Sequence, residues 1–476
     1  MVRGEVVVIR LQLDIHDPHV QGMKHAQKTR RPALVSQVMR IGPLDPLSFY
    51  AAASEWFHGQ RLYWSVPDEE LTFVGLGAAA KIESVEHTRF KDVTREWEQL
   101  TANAFVHAEA EVRGTGPLLL GGFSFDPHKP SSSLWKNFKA ASFTLPQFLL
   151  TRIKNETYLT VNYCIDPGDT LSDTWEQLNG LKEQLIHRSM CFNLSTKDKP
   201  VAVSVREHGR QAWLNSVEQA IAQIEQGLLQ KVVLARSVEV ESKSAFHPEP
   251  ILDRLRQSQT SSYVFSIEKG ESCFVGATPE RLIKKKGGHV LSTCLAGSIK
   301  RGQTLEEDLA LSHALLHDPK NRIEHQIVVQ MIKQALGDVC TVVDVPGEPG
   351  IYKTNQIQHL YTPVWGQAKK NVSLLNMVEA LHPTPALGGY PQAEAVRRIR
   401  DLENIDRGWY AAPIGWIDYH GDGEFVVAIR SALIRHRTAT LFAGCGIVED
   451  SDPQSEYEET LIKLKPMLLA LGGHCE

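Results

Sequence analysis

The chain has 476 residues, of which 42% are hydrophobic and 22% are charged, and its formal net charge is -5. This composition is typical of a globular protein with one large or two ordinary domains, and the interspersed charges of both signs argue against nucleic acid as the main partner. The seven cysteines are scattered without a CxxC pair, which indicates reduced thiols in a cytoplasm and excludes a patterned zinc site or disulfide framework.

The sequence predicts neither a membrane span nor a secretory signal. No apolar run approaches the roughly 18 residues that a membrane-spanning helix needs. The N-terminal stretch MVRGEVVVIRLQLDIHD has a short apolar run, but acidic residues follow at once and no small-residue cleavage site is present. We therefore expect a cytoplasmic protein without a membrane partner.

The first two parts of the chain differ in pattern. Residues 1–35 are polar and mixed, and we expect a loosely held N-terminal arm there. Residues 36–204 alternate short strand-like runs, such as RLYWSV, LTFVGLG and TYLTVNYC, with Gly, Pro and Asp. This alternation predicts a β-rich part packed on the same fold as the rest of the chain. Its glycines form neither a dinucleotide-binding nor a phosphate-binding motif.

Residues 205–466 have the sharpest pattern. The stretch QAWLNSVEQAIAQIEQGLLQ predicts a helix whose apolar face carries Trp213, Val217, Ile221, Ile224 and Leu228. Strands are predicted for KVVLARSVEVE, SYVFSIEKG, SCFVGATPERLIKKKGGHVLSTCLAG and GEFVVAIRSALIRHRTATLFAGCGIV. Further helices are predicted at 305–316, 320–336, 373–381 and 391–403. Hairpins with helices between them indicate an α+β fold with large antiparallel sheets and helices packed outside.

An acidic patch stands where the last predicted strand gives way to a helix, in FAGCGIVEDSDPQSEYEETLIKL at 442–464. Asp452 precedes a proline, which is typical of a helix N-cap and first position. Glu456, Glu459 and Lys463 are spaced so that they share one helical face. A solvated helix start and a ligand site both stay open on this evidence.

A purely structural role does not fully explain three polar residues. Lys231 opens an apolar strand, and its side chain either reaches the surface or forms a partly desolvated base. Glu280 follows a proline at a strand end, where the structural alternative is a turn residue that pairs with Arg281 or another cation. Arg430 lies inside the apolar run FVVAIRSALI, where a guanidinium needs an oxyanion partner from the protein or from a substrate.

A carboxylate also stands on an apolar helix face. In PKNRIEHQIVVQMIKQAL, Glu324 lies on the predicted apolar stripe. A carboxylate that faces a core needs a partner, so Glu324 forms an ion pair or belongs to a hard-cation site together with Glu459. The stripe consists of Ile323, Ile327, Val328, Met331, Ile332 and Ala335.

These segments together resemble a known family. KVVLAR, GATPERL, LAGSIKRG, RIEHQIVV, HPTPALGGYP, RGWYAAPIGW, FVVAIRSA and FAGCGIVEDSDPQSEYEET occur in the order seen in chorismate-utilising enzymes. That family includes anthranilate, aminodeoxychorismate, salicylate and isochorismate synthases. The N-terminal half, with DPLSFY, LTFVGLG and GGFSFD, is similar to the long isochorismate synthases of menaquinone biosynthesis.

The resemblance implies roles for five residues in catalysis and metal binding. Lys231 matches the base that activates water, and Glu280 matches the acid that protonates the departing hydroxyl. Glu324 and Glu459 match the ligands of Mg²⁺, the implied cofactor, and Glu456 matches a further acid close to the metal.

The resemblance also implies a substrate-binding set for chorismate. Two residues match a loop beside the substrate ring, one histidine matches a residue near the reacting centre, and the others match the pocket wall or the cradle for the substrate carboxylates. His325 is expected to have a structural role. The implied set is Gly297, Ser298, His359, Ala386, Tyr410, Arg430, Gly444, Gly446 and Lys463.

One position departs from the family pattern, and another distinguishes members of the family that catalyse different reactions. Cys445 replaces the usual small residue between two glycines, which a backbone contact tolerates. Ala386 stands where members that eliminate pyruvate or install an amine tend to carry threonine, so it favours isochorismate formation. Chorismate is the expected partner, and no glutaminase subunit is expected. The alternatives are a siderophore-pathway isochorismate synthase, a salicylate synthase, an ammonia-using synthase and a catalytically silent chorismate-binding subunit.

Overall fold

The computed structural model describes residues 18–66, 69–169, 171–192, 203–207, 209–354 and 357–473. The fold is α+β, as the sequence predicts: two large sheets with almost wholly antiparallel pairing pack together, and helices cover their outer faces. No helix in these ranges is long and apolar enough to cross a membrane.

Helices flank the sheets throughout the described chain. They are α1 (Pro18–Thr29), α2 (Pro46–Ala52), α3 (Ser54–Phe57), α4 (Arg89–Thr101), α5 (Leu171–Cys191), α6 (Arg210–Glu225), α7 (Pro248–Ser258), α8 (Leu305–His317), α9 (Pro319–Val339), α10 (Leu374–Leu381), α11 (Gln392–Leu402) and α12 (Pro453–Leu471). A short 3₁₀ turn covers Ser133–Trp135.

The strands, in chain order, are β1 (Ala33–Ile41), β2 (Arg61–Val66), β3 (Leu71–Leu76), β4 (Ala80–Ser84), β5 (Phe105–His107), β6 (Leu118–Phe123), β7 (Ala141–Leu145), β8 (Phe148–Ile153), β9 (Glu156–Ile165), β10 (Val203–Glu207), β11 (Lys231–Ser242), β12 (Tyr263–Lys269), β13 (Ser272–Thr278), β14 (Arg281–Lys286), β15 (His289–Lys300), β16 (Cys340–Asp344), β17 (Gly350–Lys353), β18 (Ile357–Ala368), β19 (Gly389–Tyr390), β20 (Pro413–Asp418), β21 (Gly423–Val427), β22 (Ser431–Arg435) and β23 (Thr438–Ile447).

Both sheets combine strands from the two halves of the chain. In the described residues the larger sheet has 13 strands, in the order β10-β11-β23-β22-β13-β12-β2-β3-β8-β9-β1-β5 with β19 beside β11. The smaller sheet has 10 strands, in the order β16-β18-β15-β14-β21-β20-β6-β7-β4 with β17 beside β18. Neither half therefore completes a sheet alone. The predicted division into 1–35, 36–204 and 205–466 stays a prediction.

The main core lies between the facing sheets. Phe73 of β3 meets Trp416 of β20 with ring centroids 5.1 Å apart, and both side chains are fully buried. A second apolar cluster joins the opposite face of the larger sheet to α2, α5, α7 and α12. Burial of each large apolar side chain contributes about 1.5–3 kcal/mol, so the two clusters hold the sheets and helices in a fixed arrangement.

The chain crosses between the sheets at two adjacent places, and these crossings position the site. The first crossing, Pro279 and Glu280, joins β13 of the larger sheet to β14 of the smaller one. The second crossing, 428–430, joins β21 back to β22. Hydrogen bonds hold the two crossings together. Val427 N–H, at the end of β21, donates to the Glu280 carbonyl of the first crossing at 2.9 Å. Ala277 N–H, near the end of β13, donates to the Arg430 carbonyl of the second crossing at 3.1 Å.

The structure corrects several details of the sequence interpretation. The run FVVAIRSALI is not one strand, because Arg430 has φ 49° and lies at the crossing between β21 and β22. Ile323 does not belong to the buried stripe of α9, since it is 62% exposed. Leu228 lies beyond the end of α6 and is 45% exposed. The predicted helices at 305–316, 320–336, 373–381 and 391–403 are confirmed as α8 to α11.

The predicted N-terminal arm divides into two parts. Residues 1–17 lie outside the described residues. The remainder is ordered against the larger sheet: α1 packs on β1, with Gly22 and Ala26 buried. A Cβ on Gly22 would lie 2.6 Å from the Val35 side chain, so this glycine lets the helix approach the strand closely.

Candidate active site

One cavity of about 290 Å³ brings together all but one of the predicted site residues. It opens beside the two crossings, between β15, β18, β23, α9 and α12. Lys231 is the residue that does not line it. The residues that do are Glu280, Gly297, Ser298, Glu324, His359, Ala386, Tyr410, Arg430, Gly444, Gly446, Glu456, Glu459 and Lys463. The sequence-predicted set is therefore one spatial cluster.

Lys231 lies directly behind the cavity wall. Its side chain is 1% exposed, and its ammonium group donates to Glu324 Oε1 at 2.6 Å. The alternative in which the lysine reaches the surface is therefore wrong. A Cβ on Gly446 would lie 2.7 Å from Lys231 Cε and 3.4 Å from Glu324 Oε1. Glycine at 446 thus leaves the space through which Lys231 reaches its partner.

Glu280 is a carboxyl group with an elevated proton affinity. It is 7% exposed, and burial raises its pKa to about 7 against the opposing effect of the nearby cations Lys463, Lys231 and Arg430. Its predicted structural alternative, a pair with Arg281, is not formed, because Arg281 instead binds Glu424 at 2.7 Å. A carboxyl that holds its proton near neutrality is suited to act as a general acid.

Arg430 and His359 line the cavity beside Glu280, and only Arg430 of the two carries a charge. Burial lowers the pKa of Arg430 to about 10, so the guanidinium keeps its charge at neutral pH. Burial, together with the charges of Arg430 and Lys463, lowers the pKa of His359 to about 3, so its imidazole is neutral. Arg430 Nη2 lies 3.4 Å from His359 Nε2, where a neutral ring accepts the hydrogen bond. No carboxylate in the described residues forms a salt bridge with Arg430, which leaves the guanidinium available to an anion.

The acidic patch serves both as a helix start and as a cavity wall. Asp452 caps α12, because its Oδ1 accepts the Ser455 amide at 2.8 Å. Glu456 and Glu459 face the cavity from the next turns. Lys463 lies 2.7 Å from Glu459 Oε1 and donates to the Gly444 carbonyl at 2.9 Å. The helix-start reading thus holds for Asp452, whereas Glu456 and Glu459 line the cavity, where a ligand site stays a prediction.

The two cavity glutamates of α12 differ in proton affinity. The charge of Lys463 lowers the pKa of Glu459. Burial, with the charge of Glu459, raises the pKa of Glu456, although Ser451 donates a hydrogen bond to it at 2.8 Å. Glu456 therefore carries an unfavourable buried charge that a nearby cation would relieve.

The donor set fits a hard cation in its chemistry. Glu324, Glu456 and Glu459 offer carboxylate oxygens to one cavity, and Mg²⁺ typically takes one or two carboxylates and keeps several waters. No three acidic, histidine or cysteine side chains of the described ranges converge into a ready-made metal site. Two of the three carboxylates are instead paired with Lys231 and Lys463. The residues therefore suit a cation held jointly with a substrate anion.

Sequence reasoning missed several residues of the cavity wall. Lys320 precedes Glu324 by four residues on α9, a spacing that places both on one helical face and gave a usable signal. Asn321 accepts the Ser298 amide at 3.2 Å and so holds an irregular part of β15 at the cavity; the loop predicted at Gly297 and Ser298 is therefore part of a strand. Phe442 stacks on Tyr410, with ring centroids 5.2 Å apart. No sequence spacing predicts these last two contacts, since each joins two separate structural elements.

A buried ion pair, Arg407 with Glu403, holds three wall segments together. The guanidinium donates to the Val233 carbonyl at 2.7 Å and to the Leu387 carbonyl at 2.9 Å. Glu403 accepts the Ala235 amide at 2.7 Å. These bonds tie β11 to the segment that carries Ala386 and to the turn before Tyr410. We call this unit the Arg407 clamp.

Two further features lie outside the site. His325 does not line the cavity: its Nδ1 bonds the Ala296 carbonyl at 3.0 Å and its Nε2 bonds Thr362 Oγ1 at 2.7 Å, which is the structural arrangement that we expected. A larger cavity of about 1240 Å³ lies between α2, α7 and β13. It contains none of the predicted site residues, so its size is no argument for catalysis.

Comparison with known proteins identifies the family. The family model described as chorismate binding enzyme matches residues 21–472. This chain belongs to the chorismate-binding enzymes. Isochorismate synthase MenF of Bacillus subtilis (strain 168) is 44% identical over 98% of this chain and 99% of its own length. The salicylate biosynthesis isochorismate synthase of Pseudomonas aeruginosa is 37% identical over 94% of this chain and 93% of its own.

Solved structures of chorismate-binding enzymes share the fold. MenF, the menaquinone-specific isochorismate synthase of Escherichia coli, matches 95% of this chain and all of its own with a TM-score of 0.78 at 23% identity. Component I of anthranilate synthase from Streptococcus pneumoniae matches 85% of this chain and 93% of its own with a TM-score of 0.69 at 22% identity. At these identities the likeness shows the fold alone, and it confirms the predicted fold class.

Proposed function

We propose that the protein is an isochorismate synthase that converts chorismate reversibly to isochorismate. The observation that carries the proposal is a cavity whose wall holds Glu280, an arginine without a carboxylate partner and three acids, with Lys231 directly behind that wall and bonded to Glu324. Membership of the chorismate-binding enzymes and the 44% identity to an isochorismate synthase over nearly the full chain support it.

In the proposed reaction Lys231 and Glu280 move two protons. The neutral amine form of Lys231 takes a proton from water and becomes the ammonium, and the water oxygen forms a bond to ring carbon C2. The ring double bonds shift, and the bond from C4 to its hydroxyl breaks as Glu280 gives that oxygen its proton, so that one water enters and one leaves. The pKa of Glu280 near 7 supports its part as the acid. In the reverse direction the two residues exchange roles.

The positive wall of the cavity holds the two substrate carboxylates in this proposal. Arg430 offers a guanidinium without a carboxylate partner, a group well suited to binding a carboxylate through two hydrogen bonds. Lys463, the phenol of Tyr410 and the backbone near Gly444 complete the cradle. Burial raises the pKa of Tyr410 to about 12, so its hydroxyl stays a hydrogen-bond donor at neutral pH.

We propose Mg²⁺ as the cofactor, held by Glu324 and Glu459 with Glu456 close by. When bound, the metal would offset the charge of a substrate carboxylate and draw electron density from the conjugated ring. The chain's own part is to present oxygen ligands at the cavity floor and to keep them there through Lys231 and Lys463.

The side chain of Ala386 and the identity to MenF support a particular product and pathway. Ala386 lines the cavity without a hydroxyl, which favours isochorismate over salicylate or an aminated product. We propose the menaquinone pathway because of the identity to MenF; a siderophore or salicylate pathway is the alternative that the Pseudomonas relative represents. No glutaminase subunit, nucleic acid or membrane is expected as a partner, and a cytoplasmic location stays a prediction.

Product analysis tests the proposal. Purified protein given chorismate and Mg²⁺ should form isochorismate, with little pyruvate and no aminated product when ammonia is added. Lys231→Gln should still bind chorismate but lose turnover by about 10²- to 10⁴-fold, the usual contribution of a general base. A silent subunit would show no turnover in the wild-type protein. An unchanged rate in Lys231→Gln would instead assign the base to another group, with His359 the first to examine.

A further inference from the structure

A second, cationic cavity lies away from the active site. It has a volume of about 290 Å³ and opens between β2, β4, β7 and the end of β12. Four lysines surround it: Lys81, Lys136, Lys139 and Lys269. We call it the lysine cavity. It shares no lining residue with the active-site cavity, and the proposed reaction uses none of its side chains.

Lys269 is the least exposed of the four lysines, and its side chain is partly buried. Its ammonium group donates to Ser142 Oγ at 2.6 Å, and Ser142 in turn donates to Glu83 at 2.8 Å. Burial and the charges of Lys81 and Lys139 lower the pKa of Lys269 to about 8, although Glu83 opposes this. The ammonium is thus a partly buried charge without a direct carboxylate partner, and a charge that is withdrawn from water is more stable when it is neutralised.

The acids near the cavity do not cancel its charge. Glu83 pairs with Lys139 at 2.6 Å, which accounts for one lysine. Glu268 is occupied by Arg61, whose Nε and Nη2 lie 3.0 and 2.7 Å from its two oxygens, and by the Gly59 amide at 3.1 Å. Neither Lys81 nor Lys136 forms a salt bridge in the described part of the chain. Three lysine charges therefore stay without a carboxylate.

The backbone around the cavity is fixed by close contacts. Gly270 N–H donates to the Gly59 carbonyl at 3.0 Å, and Gly77 N–H donates to the Gln60 carbonyl at 3.0 Å. Gly59 has φ 74°, and a Cβ there would lie 2.4 Å from the Gly270 carbonyl oxygen. The loops that carry the cavity rim are thus held in one conformation, so the space is present before a ligand arrives.

We propose that the lysine cavity is a binding site for a phosphate group, either as the free ion or as the phosphate of a small metabolite. Three ammonium groups without a carboxylate partner, two of them on exposed side chains, offset the charge of a phosphate dianion, and lysine binds phosphate as a point charge without a fixed fork geometry. Thr144 adds a hydroxyl in the wall. The site is independent of the chorismate reaction.

Calorimetric titration at constant ionic strength tests this proposal, with inorganic phosphate and glycerol phosphate as separate probes. The wild-type protein should bind inorganic phosphate saturably. Lys269→Met should weaken this binding by about tenfold or more, because the variant removes the partly buried charge, whereas Lys269→Arg should restore most of it. Lys333→Met, which removes an exposed lysine of α9, is the matched control and should leave binding unchanged.

The two probes separate the sources of the ligand. Binding of both would assign the site to the phosphate group of a metabolite, and binding of inorganic phosphate alone would assign it to the free ion. The proposal is overturned if the folded wild-type protein binds neither probe, or if Lys269→Met and Lys333→Met bind phosphate as well as the wild type. Circular dichroism melting of each variant shows whether a loss of binding is merely a loss of folding.

Discussion

At the scale of single residues, the proton affinity of Glu280 sets the pH dependence of the forward reaction. The general acid must carry its proton, and burial raises the pKa of this carboxyl to about 7. We expect kcat/KM for isochorismate formation to fall by about tenfold per pH unit on the alkaline side, where Glu280 and Lys231 are both deprotonated. Glu280→Gln should lose turnover by about 10²- to 10⁴-fold and lose this alkaline limb. A full pH profile retained by Glu280→Gln would show that another group supplies the proton.

The Glu280 carboxyl makes the folded state more stable at low pH, whereas an acid paired with a cation makes it more stable at high pH. Its folded-state pKa is raised from an ordinary value of 4.5 to about 7, so the folded protein binds this proton more tightly than the unfolded chain does. The stability due to Glu280 is complete below pH 4.5 and is lost as the pH rises to about 7. Glu280→Gln should therefore melt at a higher temperature than the wild type at pH 8. Thermal melts of both proteins at pH 5 and pH 8 check this.

We expect Ala386 to influence which product the cavity releases. Its methyl group offers the substrate ring no hydrogen bond, whereas a threonine would add a polar contact beside the reacting carbons. We expect Ala386→Thr to lower isochorismate output or to raise side products, with the fold intact. The added volume is small, so the loss of stability should stay below roughly 1–3 kcal/mol. Chromatography of the reaction mixture measures the products, and Ala386→Ser separates the effect of the hydroxyl from that of the extra methyl. Equal product ratios in all three proteins would contradict this role.

At the scale of helices and strands, the Lys231–Glu324 pair joins the start of β11 to the first turns of α9. Glu324→Ala leaves the buried ammonium of Lys231 without its partner, which should destabilise the fold by about 2–3 kcal/mol. Glu459→Ala should cost less, because the Glu459 side chain is 41% exposed. Both variants should lose the Mg²⁺ response of turnover. Denaturant unfolding and a Mg²⁺ titration measure the two effects, and a wild-type response to Mg²⁺ in either variant would remove that residue from the metal site.

The Arg407 clamp connects structural elements and does not touch the cavity. Arg407→Met removes bonds to β11 and to the Ala386 segment, so we expect a loss of about 3 kcal/mol or more in stability and a raised KM for chorismate. Arg407→Lys keeps the charge but not the fork of donors, and should recover stability only in part. Arg397→Ala, at an exposed ion pair of α11, should change neither quantity measurably. A kcat loss without a KM change in Arg407→Met would contradict a positioning role.

Local signals predicted the helices well because their ends carry explicit caps. Thr304, Asp318 and Ser373 each accept a backbone amide at the start of a predicted helix. The break in FVVAIRSALI has no such signal, since neither glycine nor proline marks it, and an arginine with positive φ is uncommon. The exposure of Ile323 likewise depends on what α9 packs against. The spacing of apolar residues along a helix does not give that information.

The site was predictable in its residues but not in its contacts. Motif positions brought thirteen residues of the cavity wall to attention before any geometry was known. The pair between Lys231 and Glu324 and the clamp of Arg407 join segments that are distant in sequence, so only the packed sheets bring them together. Lys320 is the exception, because its spacing from Glu324 on one helix face was visible in the sequence.

At the scale of the whole molecule, the two crossings between the sheets explain why the site lies where it does. Glu280 and Arg430 leave the sheets at adjacent points, and the ends of α9 and α12 add the acids and Lys463. The fold thus places Glu280, Arg430 and Lys463 at one cavity with Lys231 directly behind its wall, which is the arrangement that the proposed reaction needs. The central claim is that water activated by Lys231 attacks ring carbon C2 while the C4 hydroxyl departs.

Turnover of chorismate in water labelled with heavy oxygen tests that claim most directly. Mass spectrometry should find one labelled oxygen in each isochorismate formed early in the reaction, located at C2 by fragmentation, and Lys231→Gln should form labelled product only at its residual rate. Unlabelled isochorismate would mean that the hydroxyl migrates within the substrate, and it would contradict the role of Lys231 as the base that activates water. Salicylate or anthranilate as the main product would contradict the assignment as an isochorismate synthase.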